Sequence, residues 1–112
     1  MDEVGPFRRL SLRGDLDLST APHLREALDE LRHPWGSRGV IVDLTELNYV
    51  DSIGLGLFVT AHRRALAVGK DFIVLRPNPF IGRLLGMTGL ADELWVLNDR
   101  RSLEEVLEIQ SM

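Results

Sequence analysis

The spacing of apolar positions along the chain changes several times, and each change marks a structural element. Leu10 and Leu12 alternate with Arg9, Ser11 and Arg13, the period of two expected of a strand with one wet face, and Gly14 is expected to end it. A turn over Asp15-Leu16-Asp17-Leu18 follows. Leu24, Ala27, Leu28 and Leu31 then fall at i, i+3, i+4 and i+7, the stripe of an amphipathic helix, with Ser19 or Thr20 as its cap and Pro34 and Gly36 as its stop. Val40-Ile41-Val42 is a β-branched run without polar alternation, as expected of a central strand covered on both faces, and it runs out in Asp43-Leu44-Thr45.

Residues 53–68 read as a second helix, with Gly69 as its stop and Arg63 and Arg64 in later turns where the helix dipole favours cations. Phe72-Ile73-Val74-Leu75 is another buried strand, which completes a βαβ unit. Pro77 and Pro79 break the chain ahead of a helix over residues 80–87, and Gly89 turns it towards a short strand, Leu94-Trp95-Val96-Leu97. Leu103, Val106 and Leu107 form the stripe of a last helix, capped by Asp99 or Ser102. Strands alternate with helices throughout, without repeat or linker. The expected architecture is therefore one α/β domain over residues 1–112, with a mainly parallel central sheet of four to five strands and about four helices.

Composition narrows the functional classes. At 112 residues, 45% hydrophobic and 27% charged, the chain has enough apolar surface for a core of its own. Its 13 Lys and Arg against 17 Asp and Glu leave a net charge of −4, which argues against nonspecific binding of nucleic acid. The absence of cysteine excludes a disulfide framework, a thiolate metal site and a thiol nucleophile. His23, His33 and His62 lack ligand spacing, so no metal or other cofactor is expected. Asp2 and Glu3 occupy the N-terminus without an apolar run behind them, and the most apolar stretch, residues 53–61, is far short of the ~20 residues of a bilayer span. A soluble, cytoplasmic protein is expected.

The candidate chemistry lies in one segment, Asn48-Tyr49-Val50-Asp51-Ser52-Ile53-Gly54-Leu55-Gly56, at a strand-to-helix junction. Ser52 falls where a helix N-cap is expected, and a hydroxyl there accepts from a first-turn amide, worth ~1 kcal/mol. Gly54 and Gly56 each lower helix propensity by ~1 kcal/mol relative to alanine, which points to close approach of a ligand, a phosphate or a partner. A helix N-terminus tolerates negative charge, so a phosphate on Ser52 is compatible with the fold while adding nearly two charges beside Asp51.

Rival chemistries find less support. A hydrolase triad of Ser52, His62 and an aspartate meets valine at residue 50, where a nucleophile elbow needs glycine, and His62 lies ten residues along the same helix, about 15 Å away. Nucleotide binding lacks a third glycine and any Gly-Lys-Ser/Thr triplet. A phosphoaspartate at Asp43, placed at the end of a central strand, needs an acidic pair such as Asp15 and Asp17, which a helix cap explains equally well. Trp95 reads as core and Trp35 as either packed or exposed. The apolar succession Leu55, Leu57, Phe58 and Val59 belongs to the core or, in the first turn, to a binding surface, with His62, Arg63, Arg64 and Arg83 as charged rims.

The turn Asp51-Ser52-Ile53-Gly54-Leu55-Gly56 resembles the phosphoacceptor motif of the anti-sigma factor antagonists of the STAS domain family. Gly14-Asp15-Leu16-Asp17-Leu18 with Ala21-Pro22 is similar to that family's first loop and helix start. Val42-Asp43-Leu44, Arg76-Pro77, Arg83-Leu84-Leu85 and Thr88-Gly89-Leu90 follow in the family's order, so the resemblance covers about residues 10–107. It departs at Ile53, bulkier than the small residue often found there, and in the short stretch ahead of Phe7, which points to a truncated first strand. The resemblance implies a non-enzymatic switch. The unmodified protein would bind an anti-sigma factor that is a serine kinase and free the sigma factor; phosphorylation of Ser52 would end binding, and a serine phosphatase would reset it. Carried over by position, Ser52 is the phosphoacceptor, and Asp15, Asp51, Ile53, Gly54, Leu55 and Gly56 join it in the partner-facing region. A family scaffold or sensor without the switch is the alternative. Neither reading involves a membrane or direct contact with nucleic acid, and neither sets the oligomeric state.

Overall fold

The computed structural model describes residues 2–30 and 38–98, together with residue 105, which is helical. Its elements run β1 (Asp2–Val4), β2 (Phe7–Leu16), α1 (Ala21–Glu30), β3 (Gly39–Val50), α2 (Ser52–Ala67), β4 (Asp71–Leu75), α3 (Pro79–Met87), α4 (Leu90–Glu93) and β5 (Trp95–Leu97). The five strands form one sheet in the order β1-β2-β3-β4-β5, antiparallel between β1 and β2 and parallel everywhere else. This is the single, mostly parallel α/β domain that the pattern implied.

Parallel strands taken in sequence with right-handed crossovers put their helices on one face. A large apolar cluster forms there, in which Leu24 and Leu28 of α1, Phe58 and Ala61 of α2, and Ile81 and Leu85 of α3 meet Val40, Val42, Phe72 and Val74 of the sheet. A smaller cluster of Phe7, Ile41, Ile73 and Leu75 lies on the other face, with Val4, Trp95 and Leu97 packed against it. Both faces of β4 and of the first part of β3 are thus buried, as their unbroken apolar runs require. Trp95, read from the sequence as core, is half-buried and packs against the second cluster rather than within it.

The first and central strands are longer than their periodicity suggested. β1 and β2 form a hairpin through Gly5 and Pro6, and β2 continues for ten residues, so the strand is not truncated. Nor does Gly14 end it. Gly14, with φ 76, sits at the second of two register shifts between β2 and β3. Ser11 pairs with Asp43 and Arg13 with Glu46, then Gly14 with Leu47 and Asp15 with Tyr49, so β3 twice spends one residue more than its neighbour. The bulges reset the phase of β3. Leu44, Leu47 and Val50, three residues apart, all reach the same core, a spacing that reads as the end of a strand.

Asp43 consequently lies within β3 rather than at its end. It pairs with Arg9 across the sheet at 3.9 Å and accepts hydrogen bonds from Thr45, which leaves no strand-end phosphoaspartate site there. Helix α4 spans only four residues, too few to print a helical period. Leu31, His33, Pro34, Trp35, Gly36 and the expected last helix with Asp99, Ser102, Leu103, Val106 and Leu107 lie outside the described residues. Among the described residues no helix is long and apolar enough to cross a membrane.

Candidate functional site

The carboxyl ends of β2, β3 and β4 lie along one edge of the domain, and α1, α2 and α3 all begin there. β3 ends at Val50, and the Asp51 amide donates to Leu16 O at 3.0 Å, tying the end of β3 to the end of β2. With φ −101 and ψ −176, Asp51 keeps the extended backbone of an N-cap. Its Oδ1 accepts from the amides of Ile53 and Gly54, both at 3.0 Å, and its carbonyl accepts from Leu55 N–H. Asp51, not Ser52, is therefore the cap of α2. A carboxylate one residue earlier takes the first-turn amides. Ser52 becomes the first helical residue, exposed, with a hydroxyl that makes no hydrogen bond among the described residues.

The two glycines of the turn separate. A Cβ on Gly54 would lie 2.5 Å from Val50 Cγ2 and 2.8 Å from Leu16 Cγ and Cδ2. Gly54 is thus required by packing of α2 onto the ends of β2 and β3, not by a ligand. Gly56 is exposed, and a Cβ there would meet nothing within 4 Å, so its open face is compatible with an approaching partner. Leu55, Leu57 and Phe58 are buried. The apolar run is spent on the core, and the first turn presents Ser52, Ile53, 37% exposed, and Gly56.

Beside this turn stands the β2–α1 connection. Asp15 is exposed, in the last part of β2 rather than in a loop, and pairs in register with Tyr49. Asp17 organises the turn that follows: its Oδ1 accepts from the Ser19 hydroxyl at 2.7 Å and from the Ser19 and Thr20 amides. The Ser19 hydroxyl, helped by the Thr20 and Ser19 amides, holds the Asp17 carboxyl below its usual range. Thr20 Oγ1 donates to Asp15 O and accepts from Asp17 N–H. Neither the Ser19 nor the Thr20 hydroxyl therefore caps α1 by accepting from its first turn; the Thr20 carbonyl accepts from His23 N–H, and the Asp17 carbonyl from Ala21 N–H. At the tip, Leu18 is 71% exposed, an apolar side chain next to the Ser52 edge that periodicity did not single out.

The third connection adds an aromatic pair. Asn78 caps α3 by accepting from Ile81 N–H at 2.8 Å, and its amide group donates to Leu47 O and Asn48 O. The start of α3 is thereby pinned to the end of β3, and Tyr49 and Phe80 stack with ring centroids 5.8 Å apart and planes 18° from parallel. Both rings remain partly exposed, at 43% and 45%. No spacing in the sequence links residues 49 and 80; the one local signal is an aromatic residue, Tyr49, between Asn48 and Val50 at the end of a strand.

Other candidate groups are not assembled into this edge. His62 is half-buried, with Nδ1 turned into the protein without a hydrogen-bond partner. Arg63 pairs with Glu93 at 3.3 Å and Arg64 with Asp29 at 3.0 Å, so these two cations tie α2 to α4 and α1. Among the described residues no group of three or more His, Asp or Glu is placed to hold a metal ion.

Comparison with known proteins agrees with this layout. The model of the STAS domain family matches residues 1–103. An anti-sigma-B factor antagonist of Staphylococcus aureus is 38% identical over 90 residues, which span 80% of this chain and 82% of that protein. The fold also matches a putative anti-sigma factor antagonist of Thermotoga maritima, with a TM-score of 0.80 and 21% identity over 89% of this chain and 86% of that one. The anti-sigma factor antagonist SpoIIAA in its unphosphorylated form gives 0.73 at 19% identity, covering 100% and 96% of the two chains. Its phosphorylated form gives 0.70 at 21%, covering 95% and 96%.

Proposed function

The chain belongs to the STAS domain family, and from that premise we propose that it is an anti-sigma factor antagonist whose binding is switched at Ser52. In the unmodified state it binds an anti-sigma factor that is also a serine kinase, and so releases the sigma factor. The kinase phosphorylates Ser52, binding ends, and a serine phosphatase restores it. The protein is a cytoplasmic substrate of both enzymes and not an enzyme itself.

The observation that carries this reading is the division of labour between Asp51 and Ser52. Because Asp51 already satisfies the Ile53 and Gly54 amides, the Ser52 hydroxyl has no structural duty to give up on modification. A phosphate there brings nearly two charges next to the Asp51 carboxylate, on the edge of the domain that also exposes Asp15, Leu18, Ile53 and Gly56. Gly54 and Leu55 support that surface from beneath. A partner covering it must desolvate the new charge and meet any carboxylate of its own, and a loss of about 2.7 kcal/mol is ~100-fold in affinity. The homologue names support the role, and SpoIIAA, a neighbour in fold, has been solved in both phosphorylated and unphosphorylated forms.

The test is capture from native lysate with wild type, Ser52→Ala and Ser52→Glu as baits. Wild type and Ser52→Ala are expected to retain a histidine-kinase-like ATPase that Ser52→Glu does not. With ATP, the captured kinase should phosphorylate wild type and leave Ser52→Ala unmodified. Equal retention by all three baits would remove the switch and leave a scaffold of the same family.

A further inference from the structure

Most cations on the described surface are held by acidic neighbours, as Arg13 is by Glu46, Arg38 by Asp71, Arg63 by Glu93 and Arg64 by Asp29. Among the described residues, Arg25, Arg76 and Arg83 have no such partner, and all three are exposed. Two of the three lie either side of Phe80 in the sequence, close to the start of α3. Arg83 follows Phe80 by three residues on α3 and so shares its face, and Arg76 follows the end of β4, two residues before the Asn78 cap.

Arg76 also carries the one left-handed φ, 54, of any non-glycine residue among those described. The Cβ disfavours that conformation, and so does the proline at residue 77, which pushes the residue before it towards extended backbone. The fold holds it there: the Arg76 amide donates to Leu97 O at 2.7 Å. Among the described residues no group pairs with the guanidinium, so the strain is not offset there by a polar contact of the side chain.

We propose that Tyr49, Phe80, Arg76 and Arg83 form a docking surface for an acidic segment of a protein partner. Its carboxylates would meet the two free guanidinium groups, and an apolar side chain between them would lie on the exposed aromatic pair. Aromatic rings and arginines are the residues that anchor interfaces, and two unpaired cations on a chain of net charge −4 select for negative charge at this point. None of these four residues belongs to the Ser52 turn, and the test needs no kinase.

The test is an amide-resolved NMR titration of the full chain with three probes: an alternating glutamate–leucine hexapeptide, its lysine–leucine counterpart and a thymidine oligonucleotide. The acidic peptide should shift the amides of Tyr49, Arg76, Phe80 and Arg83, and high salt should weaken the effect. Arg83→Gln should weaken binding about five-fold. Arg76→Gly should do the same while leaving Tm at or above the wild-type value, since glycine relieves the strain. No shifts at about 1 mM acidic peptide, shifts centred on Arg25, or tighter binding of the lysine peptide or the oligonucleotide would each overturn the proposal. A lowered Tm for Arg76→Gly would overturn the assignment of Arg76, showing an arginine placed for the fold.

Discussion

Helices α2 and α3 both begin at the carboxyl end of a parallel strand, and in each an Asx side chain accepts from the first turn. Asp51 accepts from Ile53 and Gly54; Asn78 accepts from Ile81. The residues that follow differ. After Asp51 comes Ser52, with a free hydroxyl; after Asn78 come Pro79, pre-shaped for a first helical turn, and Phe80, which stacks on Tyr49. Their anchoring differs too, because Asp51 reaches the sheet through its own amide to Leu16 O, whereas Asn78 uses its side-chain NH2 on Leu47 O and Asn48 O. One capping device thus yields a modifiable turn in one place and a rigid aromatic shelf beside it. The residue after the cap, and not the cap, decides what the helix start can do.

The largest test of that contrast concerns the glycine in each first stretch. Gly54→Ala forces a Cβ against Val50 and Leu16 and should cost about 1–3 kcal/mol. Gly82→Ala in α3 meets nothing within 4 Å and should stabilise by up to ~1 kcal/mol through helix propensity alone. Thermal or denaturant unfolding of the two variants measures both. Equal effects would mean that α2 does not press on the strand ends as described.

Exchanging the caps comes next. Asn78→Asp keeps an acceptor for Ile81 N–H but turns a carboxylate onto two carbonyl oxygens, and should cost about 1–3 kcal/mol. Asp51→Asn keeps an acceptor for both amides and should cost less than ~1 kcal/mol. Denaturant midpoints of the pair report the difference, and a larger loss for Asp51→Asn would reverse the distinction between the two caps.

How much of this was legible follows from the range of the interactions. The alternation of strands and helices, the buried character of β3 and β4, and α2 with its Gly69 stop are local in sequence and came through. The bulges did not, because Leu44, Leu47 and Val50 look aperiodic until β2 is laid beside them. The Ser52 turn stood out by its glycines, yet half of that signal was internal packing: Gly54 serves Val50 and Leu16. The cap moved by one residue because aspartate and serine are equally good N-caps and only geometry separates adjacent candidates. Tyr49 and Phe80 are 31 positions apart, and their stack depends on Asn78 pinning α3 to β3, which no period records.

A smaller effect is expected at the serine itself. Were Ser52 the cap, Ser52→Ala would lose ~1 kcal/mol; with Asp51 in that role, it should change stability by no more than ~0.5 kcal/mol. Unfolding of Ser52→Ala beside Asp51→Ala separates the two cases, since Asp51→Ala should lose the ~1 kcal/mol instead. This result also bears on the capture experiment, because retention of a partner by Ser52→Ala is informative only if its fold is intact.

The smallest effect belongs to the β2–α1 connection on the same edge and extends the contrast between charged and neutral Asx side chains. Asp17 has its carboxyl held below the usual range by the Ser19 hydroxyl and the neighbouring amides, whereas Asn78 does not titrate. A carboxyl whose folded pKa is lowered stabilises the fold fully above its unfolded value, near 3.9, and loses that contribution as pH falls through the lowered folded value. The Tm difference between wild type and Asp17→Asn should therefore be constant from neutral pH to about 5 and shift against wild type below about 4. The shift will be slight, because the group is partly exposed and solvent screens it. A difference that stays constant across the whole range would mean that the negative charge contributes nothing to the turn, and that the Asx geometry alone, shared with Asn78, shapes this edge of the domain.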